Sequence, residues 1–354
     1  MRSNIRQVAE RANVSRMTVS RVLQDRRSEV TSETYERVLA ALRDLNYVPV
    51  RTAMQNHHSR TNVIGVVPHS SNVLGFGLDL RTLGGISTHS AELAYDVLLM
   101  QRGESEWMAN RREIRFLDRR TDGYIFISPG STEWRDVLAQ LTEHQIPVVV
   151  CYRRDVPEGV AWVDPDNEAL IRLAIDRLAS DGHRRIAYLS PPSKASWGDQ
   201  LLADLSGRRS NYDDEQRQAY FRETVRGMTG QTDGVVLRVS GDTDIMVTDA
   251  DIDVLIDAGV TAALCFTATL SAQLIERLRS RGVRVPNDMS LISFDSSSQS
   301  AQMNTTHVSF SYETVGRYAM EAWAELVNGQ SASDCCRIVP VKLVEGMSVA
   351  PTRP

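Results

Sequence analysis

Apolar residues in the first 50 positions recur every three or four residues, which predicts three short amphipathic helices. The first covers positions 5–12, and Ser15 can cap a second over positions 16–23. A third covers positions 31–47. Two short helices joined by a tight turn form a helix-turn-helix unit. We therefore expect a small helical domain over residues 1–48.

The second of these helices has an apolar side and a polar side. Val19, Val22 and Leu23 share the apolar side. Burying that side leaves four residues facing outward, which are Arg16, Met17, Ser20 and Arg21. Two outward arginines on a short helix can contact a nucleic acid, with ordinary surface arginines as the alternative.

From Thr61 onward, short apolar runs alternate with longer helical patterns. Seven runs predict buried strands, at positions 63–67, 123–127, 147–152, 185–189, 234–239, 262–266 and 289–294. Six helices fit between them, at positions 83–94, 133–143, 167–180, 214–226, 249–258 and 270–281. This alternation predicts a doubly wound α/β fold of parallel strands, which binds ligands beyond the C-terminal strand ends.

Charge is unevenly distributed along the 354 residues, whose formal net charge is −5. Positions 1–60 hold eleven arginines and no lysine against six acidic residues, so they carry about +5 and the remainder about −10. A basic module on an acidic body indicates a polyanion contact at one end of the chain. A chance asymmetry of the solvated surface gives the same composition.

Several function classes find no support in the sequence. No apolar stretch approaches the roughly 18 to 20 residues of a membrane span, and the N-terminus has no apolar signal core, so we expect a cytoplasmic protein. The four cysteines form neither a disulfide framework nor a CxxC pair. We therefore expect no metal and no cofactor. The motifs GxxxxGK[ST], HExxH and GxSxG are also absent, so we do not expect an enzyme.

The N-terminal segment also carries a family resemblance. Its signature residues are Val8-Ala9-Glu10, Val14-Ser15, Thr18-Val19-Ser20-Arg21-Val22-Leu23, Val30-Thr31, Thr34, Leu45-Asn46-Tyr47 and Pro49. In this pattern the segment resembles the DNA-binding headpiece of the lactose and galactose repressor (LacI/GalR) family. The resemblance implies that the second helix enters the major groove, where Arg16, Met17 and Arg21 face base edges. Ser15, Thr18 and Ser20 would instead hold phosphates.

Residues 49–61 match the linker that, in this family, folds as a minor-groove hinge helix on the operator. The resemblance adds Tyr47, Arg51, Met54 and Asn56 to the candidate DNA contacts. Asn56 stands where the family usually has a leucine that wedges into the central base step. Either Met54 or another residue replaces that wedge, or the operator is bent less.

The resemblance continues through the body. It rests on Val63-Ile64-Gly65-Val66-Val67-Pro68, Leu83-Gly84-Gly85-Ile86, Tyr95-Asp96-Val97-Leu98-Leu99, Asp122-Gly123, Ile146-Pro147-Val148-Val149, Asp166-Asn167, Gly182-His183-Arg184-Arg185-Ile186-Ala187, Gly282-Val283-Arg284-Val285-Pro286-Asn287-Asp288 and Phe294-Asp295. It implies two lobes like those of periplasmic binding proteins, joined by three crossovers, with an effector held in the cleft between them.

The resemblance also sets the expected domain limits. The effector-binding and dimerisation body covers residues 62–345, and a tail covers 346–354. Within the body, lobe 1 spans about 62–159 and 295–324, and lobe 2 spans about 160–294 and 325–345.

Two residues are the main candidates for effector contact. By position in the family motifs, Arg217 resembles the arginine that binds sugar hydroxyls, and Asp295 resembles its partner carboxylate. Four further candidates are Ser70, Phe76, Tyr152 and Arg153, for which packing or surface roles are equally open.

Two departures from the family pattern affect the effector. Thr267-Ala268-Thr269 stands where the family commonly has an Asn-Asp pair that binds the effector. Residues 193–211, which include Trp197, form a longer stretch than usual and act either as a lid or as a surface loop.

The sequence thus predicts a homodimeric repressor that binds a near-palindromic double-stranded DNA operator and is controlled by a small molecule, a sugar or a sugar derivative. Alternatives are a regulator that uses a protein corepressor or no effector, a sugar-processing enzyme, and a stand-alone sugar-binding protein.

Overall fold

The computed structural model describes residues 5–23, 29–45, 60–69, 77–100, 116–118, 120–128, 133–191, 212–229, 234–240, 246–294 and 302–352. The chain divides into two compact units, residues 1–61 and residues 62–354.

The described part of the N-terminal unit contains three helices, as the sequence predicts. They are α1 (Ile5–Ala12), α2 (Arg16–Leu23) and α3 (Ser32–Asp44). Their facing sides share a small core of buried aliphatic side chains, which are Val8, Ala9, Ala12, Val19, Val22, Val38 and Ala41. Asn13, in the turn after α1, has a φ of +51°, a left-handed conformation that asparagine tolerates better than most residues. A tight turn therefore sets α2 against α1.

The described part of the body contains two sheets, and the first of them has six parallel strands in the order β11-β5-β4-β3-β1-β2. Its strands are β1 (Val63–Val67), β2 (Asp96–Leu99), β3 (Tyr124–Ile127), β4 (Val148–Cys151), β5 (Ala161–Pro165) and β11 (Arg337–Val339). Helices α4 (Gly77–Glu92), α5 (Glu133–Glu143) and α10 (Tyr312–Val327) belong to this lobe. Alternate side chains of β3 and β4 enter two different apolar clusters, so both faces of the sheet are covered.

The described part of the second sheet has six strands in the order β12-β10-β9-β8-β6-β7. Its strands are β6 (Ile186–Ser190), β7 (Val235–Arg238), β8 (Ala262–Cys265), β9 (Ser290–Phe294), β10 (His307–Ser309) and β12 (Lys342–Val344), of which β12 runs antiparallel to β10. Its helices are α6 (Asn167–Ser180), α7 (Tyr212–Thr229), α8 (Asp249–Asp257) and α9 (Ala268–Ser280). One apolar cluster includes residues of both sheets.

All seven predicted strands are present, within one or two residues of their expected limits. Five further strands, at positions 96–99, 161–165, 307–309, 337–339 and 342–344, fall outside the predicted set. Helix α10 was also outside the predicted set. Helix α4 begins six residues earlier than expected, at Gly77 instead of Leu83.

Sheet membership differs from the lobe limits inferred from the sequence. β5 and β11 pair with the first sheet, although their positions fall in the expected lobe 2. β10 pairs with the second sheet, although its position falls in the expected lobe 1. The expected tail also packs on lobe 2, since the Ser348 hydroxyl donates to the Leu291 carbonyl at 2.6 Å. Which sheet a short strand joins depends on its pairing partners more than on its own sequence.

Within the described residues, the chain passes between the two sheets at three places, as the family resemblance implies. The connections are Asp166 between β5 and α6, residues 310–311 between β10 and α10, and residues 340–341 between β11 and β12. The backbone N–H of Asp166 donates to the carbonyl of Val339 at 3.1 Å, which ties the first connection to the start of the third.

Helices α4 and α10 cross in close contact because glycines stand where they meet. A Cβ built on Gly316 would lie 2.1 Å from the carbonyl oxygen of Thr82, and one built on Gly85 would lie 2.1 Å from that of Glu313. At the edge of this crossing, Arg81 donates to both carboxylate oxygens of Glu313, at 2.8 and 3.0 Å. This ion pair holds the pKa of Glu313 down at about 2.

Across the described residues, the helices lack the combination of length and apolar character needed to cross a bilayer.

Candidate functional site

In the N-terminal unit, the side chains of α2 are oriented by its packing. Val19 and Val22 are buried against the other two helices. The backbone N–H of Thr18 donates to the hydroxyl oxygen of Ser15 at 3.0 Å, which caps the start of the helix. The Ser15 and Thr18 hydroxyls lie 2.9 Å apart. The buried valines therefore turn the polar face of α2 outward, and the Ser15 cap fixes where the helix begins.

That outward face carries the predicted base-contacting residues. Met17 is 66% exposed, and Arg16 is exposed beside it. Arg21 is half-buried, because its Nε lies 3.1 Å from a carboxylate oxygen of Glu29. A terminal nitrogen of Arg21 also lies 3.8 Å from the sulfur of Met17. Ser20 is half-buried on the same helix. Sequence reasoning identified the two arginines but missed the acidic partner of one of them.

Seven of the predicted contact residues lie outside the described residues. They are Tyr47, Arg51, Met54 and Asn56 in the headpiece and linker, and Ser70, Phe76 and Asp295 in the body. The stretch 193–211 lies outside them as well.

In the body, Arg217 lies at the C-terminal edge of the second sheet. Helix α7 begins at Tyr212, two residues before its predicted start, so Arg217 occupies the second turn of the helix. The side chain is only 6% exposed. Its guanidinium lies over the rings of Phe266, which follows β8, and Phe294, which ends β9, at 5.0 and 5.7 Å from the ring centres. Stacking on two rings fixes the plane of the guanidinium.

Asn167, the first residue of α6, connects Arg217 to a neighbouring carboxylate. Its side-chain oxygen accepts from Nε of Arg217 at 2.8 Å, and its side-chain nitrogen donates to Asp213 at 3.2 Å. Removal from water raises the pKa of Asp213, and the charge of Arg217 opposes that rise. The three side chains form a polar group where α6 and α7 begin.

Asp164, near the end of β5, adds a carboxylate from the first sheet. One of its oxygens accepts from Nε of Arg154 at 2.7 Å, and Arg154 also donates to the carbonyl of Pro165 at 2.9 Å. Burial, followed by the charge of Asp213, raises the pKa of Asp164 to about 7, although Arg154 and Arg217 act against the rise. No motif or apolar pattern in the sequence marks Asp164 as a site residue.

Tyr152 and Arg153 are both engaged with protein groups. The Tyr152 hydroxyl lies 2.6 Å from that of Thr82, and its ring packs against Phe310 and Tyr312. Arg153 donates to both carboxylate oxygens of Asp155, at 2.5 and 2.9 Å, and lies over the ring of Tyr212. These contacts favour a packing role for Tyr152.

Other polar residues nearby hold the secondary structure in place. Asp214 accepts hydrogen bonds from Tyr188, Ser190 and Gln218, which fix α7 to β6. Thr267 caps α9 by accepting from the N–H of Leu270 at 3.2 Å. A helix cap thus occupies the place where a carboxylate was expected from the resemblance. Among the described residues, no group of three or more metal-binding side chains is assembled.

Comparisons with protein families match both units. Residues 4–50 match the family of bacterial regulatory proteins described as the lacI family. Residues 75–201 match the periplasmic binding proteins and sugar-binding domain of the LacI family, and residues 175–349 match a periplasmic-binding-protein-like domain.

Individual proteins give the same picture. The HTH-type transcriptional repressor PurR of Vibrio cholerae is 27% identical over 295 residues, which cover 83% of this chain and 81% of the relative. The lac repressor dimer bound to operator and the anti-inducer ONPF has a similar fold, with a TM-score of 0.75 at 23% identity over 99% of this chain and all of the other. The complex of the regulator CelR with cellobiose has a TM-score of 0.65 at 24% identity over 98% of this chain and all of the other.

Proposed function

The chain belongs to the LacI family of bacterial regulatory proteins, and from that premise we propose how it acts: it represses transcription by binding a specific DNA sequence under the control of a small molecule. The observation that carries the DNA-binding half is the outward face of α2, where Arg16, Met17 and Arg21 project from a helix anchored by buried valines. The relatives are transcriptional regulators, so no catalytic activity forms part of the proposal.

On DNA, α2 enters the major groove with Arg16 and Arg21 directed at base edges. An arginine can donate two hydrogen bonds to one guanine, which discriminates by about 1–3 kcal/mol against a wrong base. Met17 offers an apolar contact to a thymine methyl group. Ser15, Thr18 and Ser20 hold phosphates and set the register. Two copies of the unit in a homodimer bind the half-sites of a near-palindromic operator. The proposed site of action is the cytoplasm.

The small molecule binds among the polar side chains that the two sheets bring together in the body. Arg217 supplies donors, and the carboxylates of Asp164 and Asp213 supply acceptors. A ligand that binds one arrangement of the two sheets more tightly than another shifts the equilibrium between them, and the DNA affinity changes with it. Because CelR, a relative in fold, is seen with cellobiose, a sugar is the ligand class to test first.

The DNA-binding half is tested by selecting duplexes from a randomised library and measuring the affinity of the selected site at near-physiological salt. The double variant R16A/R21A should bind it at least about 100-fold more weakly and lose base preference, because two arginine–guanine contacts are lost. The control is R37A, which removes an exposed arginine of α3 that pairs with Glu33. Unchanged affinity and selectivity in the double variant would overturn the assignment.

The small-molecule half is tested by thermal unfolding of the full chain with a panel of sugars. A ligand that binds only the folded state raises the unfolding temperature, and the rise grows with ligand concentration. A sugar that raises this temperature should also change the affinity for the selected duplex. Operator binding that no sugar alters would instead favour control by a protein corepressor or by no effector.

A further inference from the structure

Asp164 has a buried carboxylate oxygen that accepts no hydrogen bond. Asp164 is 1% exposed. Its Oδ2 accepts a hydrogen bond from Arg154, whereas its Oδ1 is buried and has no hydrogen-bond partner. Among the described residues, no other buried carboxylate oxygen is in this state. An enclosed acceptor without a donor costs free energy in the folded protein. The ionised carboxylate can therefore accept a further hydrogen bond at Oδ1 from a bound molecule.

The groups around Asp164 come from both lobes. Arg154 and the Cys151 thiol are contributed by β4 and the segment after it, and Tyr212, Asp213 and Arg217 by α7. The phenolic oxygen of Tyr212 accepts from the backbone N–H of Arg154 at 3.3 Å, which draws α7 against the first lobe. Asp164 thus lies where the two lobes meet, close to the polar side chains of Arg217 and Asp213.

The balance of these groups limits the chemistry of a ligand. When all six groups are ionised, the carboxylates of Asp155, Asp164 and Asp213 balance the guanidinium groups of Arg153, Arg154 and Arg217, so net charge favours neither an anion nor a cation. The Nε of Arg217 is used by Asn167, and its terminal nitrogens donate to no residue that the structure describes. A hydroxyl group can accept from a guanidinium and donate to a carboxylate at once. The geometry suits a neutral ligand with several hydroxyl groups.

Resting on the proposed function, we propose that Oδ1 of Asp164 accepts a hydrogen bond from a hydroxyl of the effector, so that effector binding is linked to the ionisation of this carboxyl group. Asp164 is in this view a specificity-determining residue, and it distinguishes a neutral polyhydroxylated effector from an anionic one. The proton that leaves the carboxyl on binding passes to the solvent buffer.

The sign of the pH dependence follows from the carboxyl group. In the empty site its pKa is raised to about 7, so it is mostly protonated at pH 6 and mostly ionised at pH 8. A hydroxyl that donates to the ionised form favours that form and lowers the pKa. Effector affinity should therefore rise with pH, by about tenfold between pH 6 and pH 8. Binding at pH 7 should release about half a proton for each ligand bound.

The experiment is calorimetric titration of the full chain at pH 6 and pH 8, and at pH 7 in two buffers of different ionisation enthalpy. The probes are cellobiose, glucose, glucosamine, glucuronate and glucose 6-phosphate. We expect a neutral sugar to bind with the stated pH dependence and the two anionic sugars to bind at least tenfold more weakly. The variant D164N should bind more weakly at pH 8 and lose the pH dependence. The control D176N, which removes an exposed carboxylate of α6, should match the wild type.

Several results would overturn the assignment. They are the absence of binding by either neutral sugar, affinity that falls or stays constant as the pH rises, and a pH dependence that persists in D164N. The wild-type measurements decide the matter even if D164N fails to fold. Duplex binding is measured on the same preparations, so that failure of this proposal can be distinguished from failure of the proposed function. A protein that binds its operator but no neutral sugar retains the DNA-binding role, and only the Asp164 contact is refuted.

Discussion

Glu29 pairs with one of the two arginines on which DNA recognition depends. Its carboxylate lies 3.1 Å from Nε of Arg21, and both side chains are partly exposed. An exposed ion pair of this kind is worth no more than about 1 kcal/mol, so DNA can displace it. Glu29 nevertheless competes with a base or phosphate for Arg21 and adds a negative charge near the DNA-facing side of α2.

Replacing Glu29 by glutamine should therefore strengthen DNA binding. We expect E29Q to bind the selected duplex up to about fivefold more tightly at low salt, with a smaller gain at high salt because charge interactions are screened. Fluorescence anisotropy at two salt concentrations measures the effect. The control is E33Q, which removes the same charge from a pair with Arg37 on α3. Equal gains in both variants would mean that only the overall charge matters.

At the residue scale, the sequence predicted those side chains whose roles depend on local pattern. The outward position of Arg16 and Met17 follows from the spacing of the buried valines. Arg217 was found through a family motif. Asp164 was missed because its position is set by the pairing of β5 with β4 and by the approach of α7, nearly 50 residues further along the chain. Neither feature produces a recognisable pattern in the sequence around Asp164.

At the scale of elements, burial separates most of the predicted strands from the missed ones, with two exceptions: β5 is largely buried and was missed, and the half-buried edge strand β7 was predicted. Strands β3, β4, β6, β8 and β9 are fully buried, and each is an apolar run that can be recognised in the sequence. β2 lies at the edge of the described sheet, where its apolar residues Val97, Leu98 and Leu99 are exposed or half-buried, so its apolar run does not mark a buried strand. β10, β11 and β12 have three residues each, too few to establish a period.

The crossing of α4 and α10 gives a prediction at this scale. Alanine at Gly316 would place a methyl group 2.1 Å from the carbonyl oxygen of Thr82 and 2.8 Å from the nitrogen of Ile86, both of them backbone atoms. The helices must then move apart, and we expect G316A to lower the free energy of unfolding by about 1–3 kcal/mol. Urea unfolding measures the change.

A matched substitution on α4 provides the control for G316A. A Cβ at Gly84 meets nothing within 4 Å, so G84A fills open space. It should leave stability unchanged or raise it by up to about 1 kcal/mol, because alanine favours a helix more than glycine does. Equal destabilisation by both variants would show that the cost comes from something other than the close approach of the helices.

At the scale of the whole molecule, the chain has separate apolar cores for its two units. Among the described residues, the N-terminal unit has a small core of its own, which shares no residue with the clusters of the body. In the body, one cluster joins side chains from both sheets, so the lobes are expected to unfold together.

Calorimetry of the full chain should therefore show two unfolding transitions, a small one for the N-terminal unit and a large one for the body. The selected duplex should raise the temperature of the small transition directly, since it binds the folded N-terminal unit. A sugar that binds the body should raise that of the large transition. A single transition that both ligands shift equally would contradict the separation of the cores.

The three connections between the sheets determine which movements the body can make. Each is one or two residues long, and two residues reach only about 7 Å even when fully extended. Sliding one sheet past the other is limited to what these few residues can span, whereas tilting needs changes at only a few backbone torsions. The hydrogen bond from Asp166 to Val339 makes two of the connections bend together. The quantity that a bound molecule can set is thus the angle between the two sheets.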